Sequence, residues 1–177
     1  MLTSIGEFAR YFEGIRRRTW AAVDRVTPEI LEWRPWPQAL SCGQIIRHLA
    51  GAERFFVTKV VEDRWTDALD PGPSLDLAAT RALLAAAHEE QAPRLLAVPD
   101  RRLRERVKDL AGGDVSVWRL LMAMAEHEIH HRSQLSSRLS AGGIGGTQLF
   151  GYRMEEVIAR ARTEPRGQRG SNGGLPA

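Results

Sequence analysis

His127-Glu128-Ile129-His130-His131 places two imidazoles four residues apart inside a long apolar segment of a 177-residue chain. Residues so spaced lie one turn above each other on an α-helix, so His127 and His131 can direct two ring nitrogens at one ion. Such a chelate suits zinc or a neighbouring first-row metal. The same letters satisfy HExxH, in which the glutamate is the general base of a zinc peptidase, and the pattern alone leaves both chemistries open. A catalytic zinc takes three protein ligands and keeps a position for water or substrate, so a third ligand is required from elsewhere.

The elements that must position these groups follow from periodicity. At ~100° per residue, Val117, Leu120, Leu121, Met124, Leu135 and Leu139 fall within about 60° of one line and define a core face. Asp114 or Ser116 caps this helix, which runs to about Ser140 and ends at Gly142-Gly143. His131 lies near the middle of the face and His127 on its edge, whereas His130 lies outside it and is not expected to coordinate. Glu128 falls inside the face, an unusual place for a carboxylate without a partner.

Upstream, Ile5, Phe8, Phe12, Ile15, Thr19 and Val23 mark a first helix from about Ile5 to Val26, stopped by Thr27-Pro28. Trp33-Arg34-Pro35-Trp36-Pro37 excludes regular helix. Ser41 and Gln44 form a capping-box pair that opens a second helix, about Cys42 to Trp65, with Ile45, Leu49, Ala52, Phe56 and Val60 as its buried stripe. Pro71-Gly72-Pro73 breaks the chain; Ser74 or Asp76 then caps a third helix through about Leu96, with Pro93 a point of kinking. Pro99 to Asp114 reads as a charged connection with a short extended piece. A short helix near Tyr152 to Arg162 follows the fourth, and the polar composition beyond it predicts a disordered tail. The expectation is an all-α protein: a four-helix bundle over residues 1–162 with a short extra C-terminal helix, then a tail over 163–177.

Two other histidines compete for the third ligand position. His88 lies among alanines and acids on the third helix, while His48 borders the apolar face of the second. His48 also lies ~10 Å past the Ser41 cap, a depth comparable to that of His131 from the end of the fourth helix. If these two helices are antiparallel, His48, His127 and His131 meet at one level. A lone histidine on an apolar face is ordinarily a hydrogen-bonded core residue, but two at i and i+4 are harder to explain by packing. A di-iron bundle needs a second ExxH pair that is absent. A metzincin needs glycine and histidine where Gln134 and Ser137 stand. Glu155 or Glu156 could complete another peptidase site, although no sheet is expected to bind a peptide.

Bulk properties narrow the class. Net charge is +3 and acids and bases are interleaved, with no aromatic residues among the arginine clusters, so nucleic acid is not an expected partner. Cys42 is the single cysteine, which excludes an internal disulfide and fits a reducing cytoplasm. No signal peptide or membrane span is expected. Cys42 stands at a helix start, where the dipole lowers a thiol pKa, though a plain small residue suits the position as well. Arg34 and Trp36 can line a pocket mouth, or Trp36 can cap the end of the core.

Arg34-Pro35-Trp36-Pro37, Ser41, the run Ile45-Ile46-Arg47-His48-Leu49-Ala50 with Glu53, and His127 through Leu135 together resemble the DinB/YfiT-like family, whose members are regarded as metalloenzymes. The resemblance spans about Ile5 to Arg162, with Ser133 standing where many relatives carry glycine. It implies a bundle of up-down-down-up connectivity, a homodimer, and one divalent metal, Zn²⁺ or Ni²⁺ before others, on His48, His127 and His131. It also implies thiol-dependent chemistry, as in S-transferases and a maleylpyruvate isomerase that use bacillithiol or mycothiol, and no DNA polymerase activity. The working expectation is a transferase in which a metal-bound low-molecular-weight thiolate attacks a small electrophilic substrate. Glu128 and Glu53 would orient an imidazole or move a proton, or else pair with a buried arginine. A non-catalytic metal sensor and an HExxH hydrolase are the alternatives.

Overall fold

The computed structural model describes residues 3–145 and 154–163. Two compact units result, Met1–Thr147 and Gln148–Ala177. The first contains α1 (Ile5–Val23), α2 (Pro28–Leu31), α3 (Cys42–Glu62), α4 (Leu77–Leu96), a 3₁₀ turn (Asp100–Arg104), strands β1 (Arg106–Lys108) and β2 (Asp114–Ser116), and α5 (Val117–Ala141). The second holds α6 (Met154–Thr163), the short helix expected there; the expected tail lies outside the described residues from 164 onward.

Local chemistry explains the boundaries. Ser4 with Glu7 and Ser41 with Gln44 close reciprocal capping boxes on α1 and α3, and Asp76 and Ser116 cap α4 and α5 through their side chains. α1 ends at Val23, short of Val26, because Pro28 opens a separate turn of helix rather than merely ending the first. α3 ends at Glu62, before Trp65, where Asp63 enters the left-handed region at φ 54°. Pro93 is accommodated within the last turn of α4. The extended piece expected before α5 is a three-residue antiparallel ladder, Val107 opposite Val115.

Two apolar clusters fix the helix directions. One joins Phe8 and Phe12 near the start of α1, Val60 near the end of α3, Leu95 near the end of α4 and Leu121 near the start of α5. The other joins Val23, Ile45, Leu84 and Leu139 from the opposite halves of the same helices. So α1 and α5 run one way and α3 and α4 the other, the up-down-down-up bundle. α3 packs against α4 and α5, and α1 against both of these. No helix among the described residues is long and apolar enough to cross a membrane.

Parallel neighbours α3 and α4 require residues 63–76 to return along the bundle. That crossover lies on α3 itself. Arg47, buried on α3, donates from Nε to the Pro71 carbonyl at 3.1 Å and from Nη1 to Glu32 at 2.8 Å. Ser41 and Ser74 donate their hydroxyls to the same Glu32 carboxylate, each at 2.7 Å. One carboxylate thus ties the α3 N-terminus to the crossover. With this cover added, α3 is buried on nearly every side rather than along the single stripe its periodicity indicates.

Candidate metal centre

His48 projects from α3 towards His127 and His131 on antiparallel α5, and one ring nitrogen from each of the three lies within 4.8 Å of the others. The Nε2 atoms of His48 and His127 are 3.1 Å apart. With a Zn–N distance of about 2.0–2.1 Å, two nitrogens of a tetrahedral site stand roughly 3.3 Å apart, so this spacing fits one ion. The ring centroids of His131 lie 4.6 Å from His48 and 4.4 Å from His127. Among the described residues no fourth histidine, cysteine or carboxylate joins the cluster.

Neighbouring acceptors orient the rings. A carbonyl oxygen only accepts, so His48 donates Nδ1–H to Leu69 of the crossover at 2.6 Å and keeps a lone pair on Nε2. His131 Nδ1 is 2.9 Å from Gln134 Oε1, while the Gln134 amide nitrogen is 3.0 Å from His130 Nε2. With the amide donating to His130 and accepting from His131, the second ligand ring is also held with Nε2 bare. Burial, reinforced by the neighbouring imidazoles, pushes His127 down to about 3. Burial likewise takes His131 to about 4, with the Gln134 hydrogen bond opposing. Both rings are neutral at neutral pH, the state in which imidazole binds metal. His130 is exposed, as its angular position requires.

The two acids meet on an arginine that periodicity did not single out. Arg16 of α1 is 2% exposed, and its Nη2 donates to Glu53 Oε2 at 2.9 Å. Arg16 Nε is 3.2 Å from Glu128 Oε1, outside hydrogen-bond alignment, so that contact is coulombic. Burial pushes the Glu128 carboxyl up against the pull of Arg16 and a hydrogen bond from Thr19. Glu53 also accepts from His88 Nδ1 at 2.8 Å. Neither acid has a hydrogen bond to a candidate ligand imidazole among the described residues, so the pairing with a buried arginine is the arrangement present. One signal for Arg16 was available: it stands four residues after Phe12, beside Ile15, on an otherwise apolar flank of α1.

Cys42 is fully buried, and desolvation raises its thiol to about 11, overriding the expected helix-dipole effect. Trp36 is 54% exposed under the Arg138 guanidinium, 4.9 Å from the ring centre, and Arg34 donates to its own loop at Pro37. Those three residues take no part in the cluster.

Two crystal structures share the fold. A DinB-like protein from Bacillus cereus ATCC 10987 superposes with a TM-score of 0.72 at 17% identity, covering 84% of this chain and 99% of that one. A DinB-like protein from Bacillus subtilis does so with a TM-score of 0.67 at 20% identity, with coverages of 84% and 99%. No curated protein matches the chain. The sequence model of the DinB superfamily matches residues 11–135, a span that contains all three clustered histidines and the Arg16–Glu53–Glu128 group behind them. With that match covering most of the bundle, and the bundle itself shared with both crystal structures, this chain belongs to the DinB superfamily.

Proposed function

We propose that the chain is a divalent-metal-dependent enzyme in which His48, His127 and His131 hold one ion and a low-molecular-weight thiol is delivered to a small electrophile. The observation that carries this reading is the convergence of three ring nitrogens with no fourth protein ligand among the described residues, which leaves a coordination position for an exogenous group. When bound, the ion would lower the thiol pKa and keep the thiolate available at neutral pH. The chain's own contribution is positioning. Leu69 and Gln134 fix two imidazole tautomers, and burial keeps protons off His127 and His131.

Glu53 and Glu128 enter as positioning residues, because their shared partner Arg16 locks α1 against the two helices that carry the ligands. That role also weighs against an HExxH hydrolase, whose glutamate must reach a metal-bound water rather than face an arginine. Zinc and nickel both suit three imidazoles, and the choice between them rests on availability as well as geometry.

The test is metal content by plasma mass spectrometry on tag-free protein, beside His48→Ala and His131→Ala, followed by assay of bacillithiol and mycothiol with an electrophilic acceptor. Near-stoichiometric metal lost in both variants, with metal-dependent consumption of thiol, is the expected result. Metal retained in His48→Ala but lost in His131→Ala would break the triad. Metal without turnover would favour the sensor.

A further inference from the structure

Between α1 and α4 lies a cavity of about 270 Å³ that the three-histidine cluster does not use. Its walls are apolar, with Gly6, Ala9 and Phe12 of α1 facing Ala92 and Leu95 of α4. The small residues leave room where larger side chains would close the groove. The polar end is His88, whose Nδ1 is 2.8 Å from Glu53 Oε1 and whose Nε2 is 2.9 Å from Glu13 Oε2. Nδ1 donates to Glu53, while Glu13 faces Nε2 at ion-pair distance outside hydrogen-bond alignment, so two carboxylate charges flank the ring and favour its protonated form. The hydrogen bond to Glu53, ahead of the opposing burial, raises the His88 pKa in the same sense.

The two carboxylates are not equivalent. Glu53 is 3% exposed and its other oxygen is occupied by Arg16, so it is fixed. The Glu13 side chain is 59% exposed and can swing away. Glu13 is therefore an internal carboxylate seated on a replaceable position at the head of an apolar cavity. We propose that this cavity is a second ligand site, distinct from the histidine cluster, for a small monocarboxylate with an apolar tail. The ligand's carboxylate takes the place of Glu13 on His88 Nε2, and its tail lies between α1 and α4. Arg10 lines the same cavity and adds positive charge for an incoming anion. An amine would bring donors to a donor and is excluded.

Size narrows the ligand further. An apolar cavity of roughly 150 Å³ takes benzene, whereas drug-sized molecules need about 300–1,000 Å³. The cavity here suits a phenylalkanoate or a short fatty acid.

Calorimetric titration of the full chain with hydrocinnamate, beside hydrocinnamyl alcohol and phenylpropylamine, tests this. Saturable one-site binding of the acid is expected, weakened at least about tenfold in His88→Gln and in Ala92→Phe, which fills the groove. Glu13→Ala, an exposed change that spares the fold, should bind about threefold or more tightly, since the internal competitor is gone. His131→Ala should bind as wild type does. No binding by wild type, equal binding of the amine, or unchanged or weaker binding by Glu13→Ala overturns the proposal. So does loss in His131→Ala with retention in Ala92→Phe, which would put the carboxylate on a metal instead.

Discussion

Gly51 meets Ala68 so closely that a β-carbon at residue 51 would stand 1.7 Å from the Ala68 carbonyl oxygen. Leu69, the next residue, supplies the carbonyl that accepts from His48 Nδ1, and His48 lies three residues before Gly51 on the same flank of α3. The absent side chain is what lets the crossover settle on the helix and reach the ligand ring. Gly51→Ala should therefore leave the helices formed but lift the crossover and free the His48 ring. Loss of an outer-shell partner of this kind lowers metal affinity about 10–100-fold. Competition against a chromophoric chelator measures it; an affinity equal to wild type would show that the crossover does not orient His48.

Arg16 is the cation of a buried group with Glu53 and Glu128. Its side chain and that of Glu53 are each 2% exposed, so solvent screens the pair little. Arg16→Met strands the Glu128 carboxylate in an apolar interior and leaves Glu53 with His88 alone, and breaking a buried pair in this way costs about 3–5 kcal/mol. Adding Glu53→Gln and Glu128→Gln to that variant should recover most of the loss, because the penalty comes from the unpaired charges rather than from a missing contact. Urea unfolding of the single and triple variants decides; equal stability of the two would put the cost in packing around the guanidinium.

Cys42 should be inert in the native state despite its place at a helix start. The thiol is fully buried and held near 11, so little thiolate exists at neutral pH and no path reaches it. Reaction with a chromogenic disulfide should be complete only in denaturant. Rapid labelling of the folded chain would show that the α3 N-terminus opens.

Much of this arrangement was readable in the chain, and the exceptions share a cause. Caps and helix faces are local: the Ser41–Gln44 box, the inward turn of Glu128 and His131 and the exclusion of His130 all follow from residues within a few positions of each other. His48 was reachable because one depth comparison across antiparallel helices sufficed. Leu69 and Gly51 were not, since each acts through an element distant in sequence, and Arg16 showed only its place on an apolar flank of α1, not its partners. A carbonyl and a missing side chain leave no mark in periodicity, and an arginine at a helix edge usually reaches water. Burial on all sides of α3 was likewise invisible, because the crossover that covers it has no regular structure of its own.

His88 gives the bundle a pH dependence of definite sign. Its pKa is raised in the folded chain, first by the hydrogen bond to Glu53, with burial and Arg16 opposing and the charges of Glu53 and Glu13 assisting. The folded state thus holds the proton more tightly than the unfolded one. The resulting stabilisation is complete below the unfolded value of about 6.5 and is lost as pH rises through the higher folded value. In chelator-treated protein, the urea midpoint of wild type should exceed that of His88→Gln by more at about pH 6 than at about pH 9. A gap that widens with rising pH would mean that the neutral ring is the stabilised form, which is incompatible with an imidazolium that donates to Glu53 and faces the charge of Glu13.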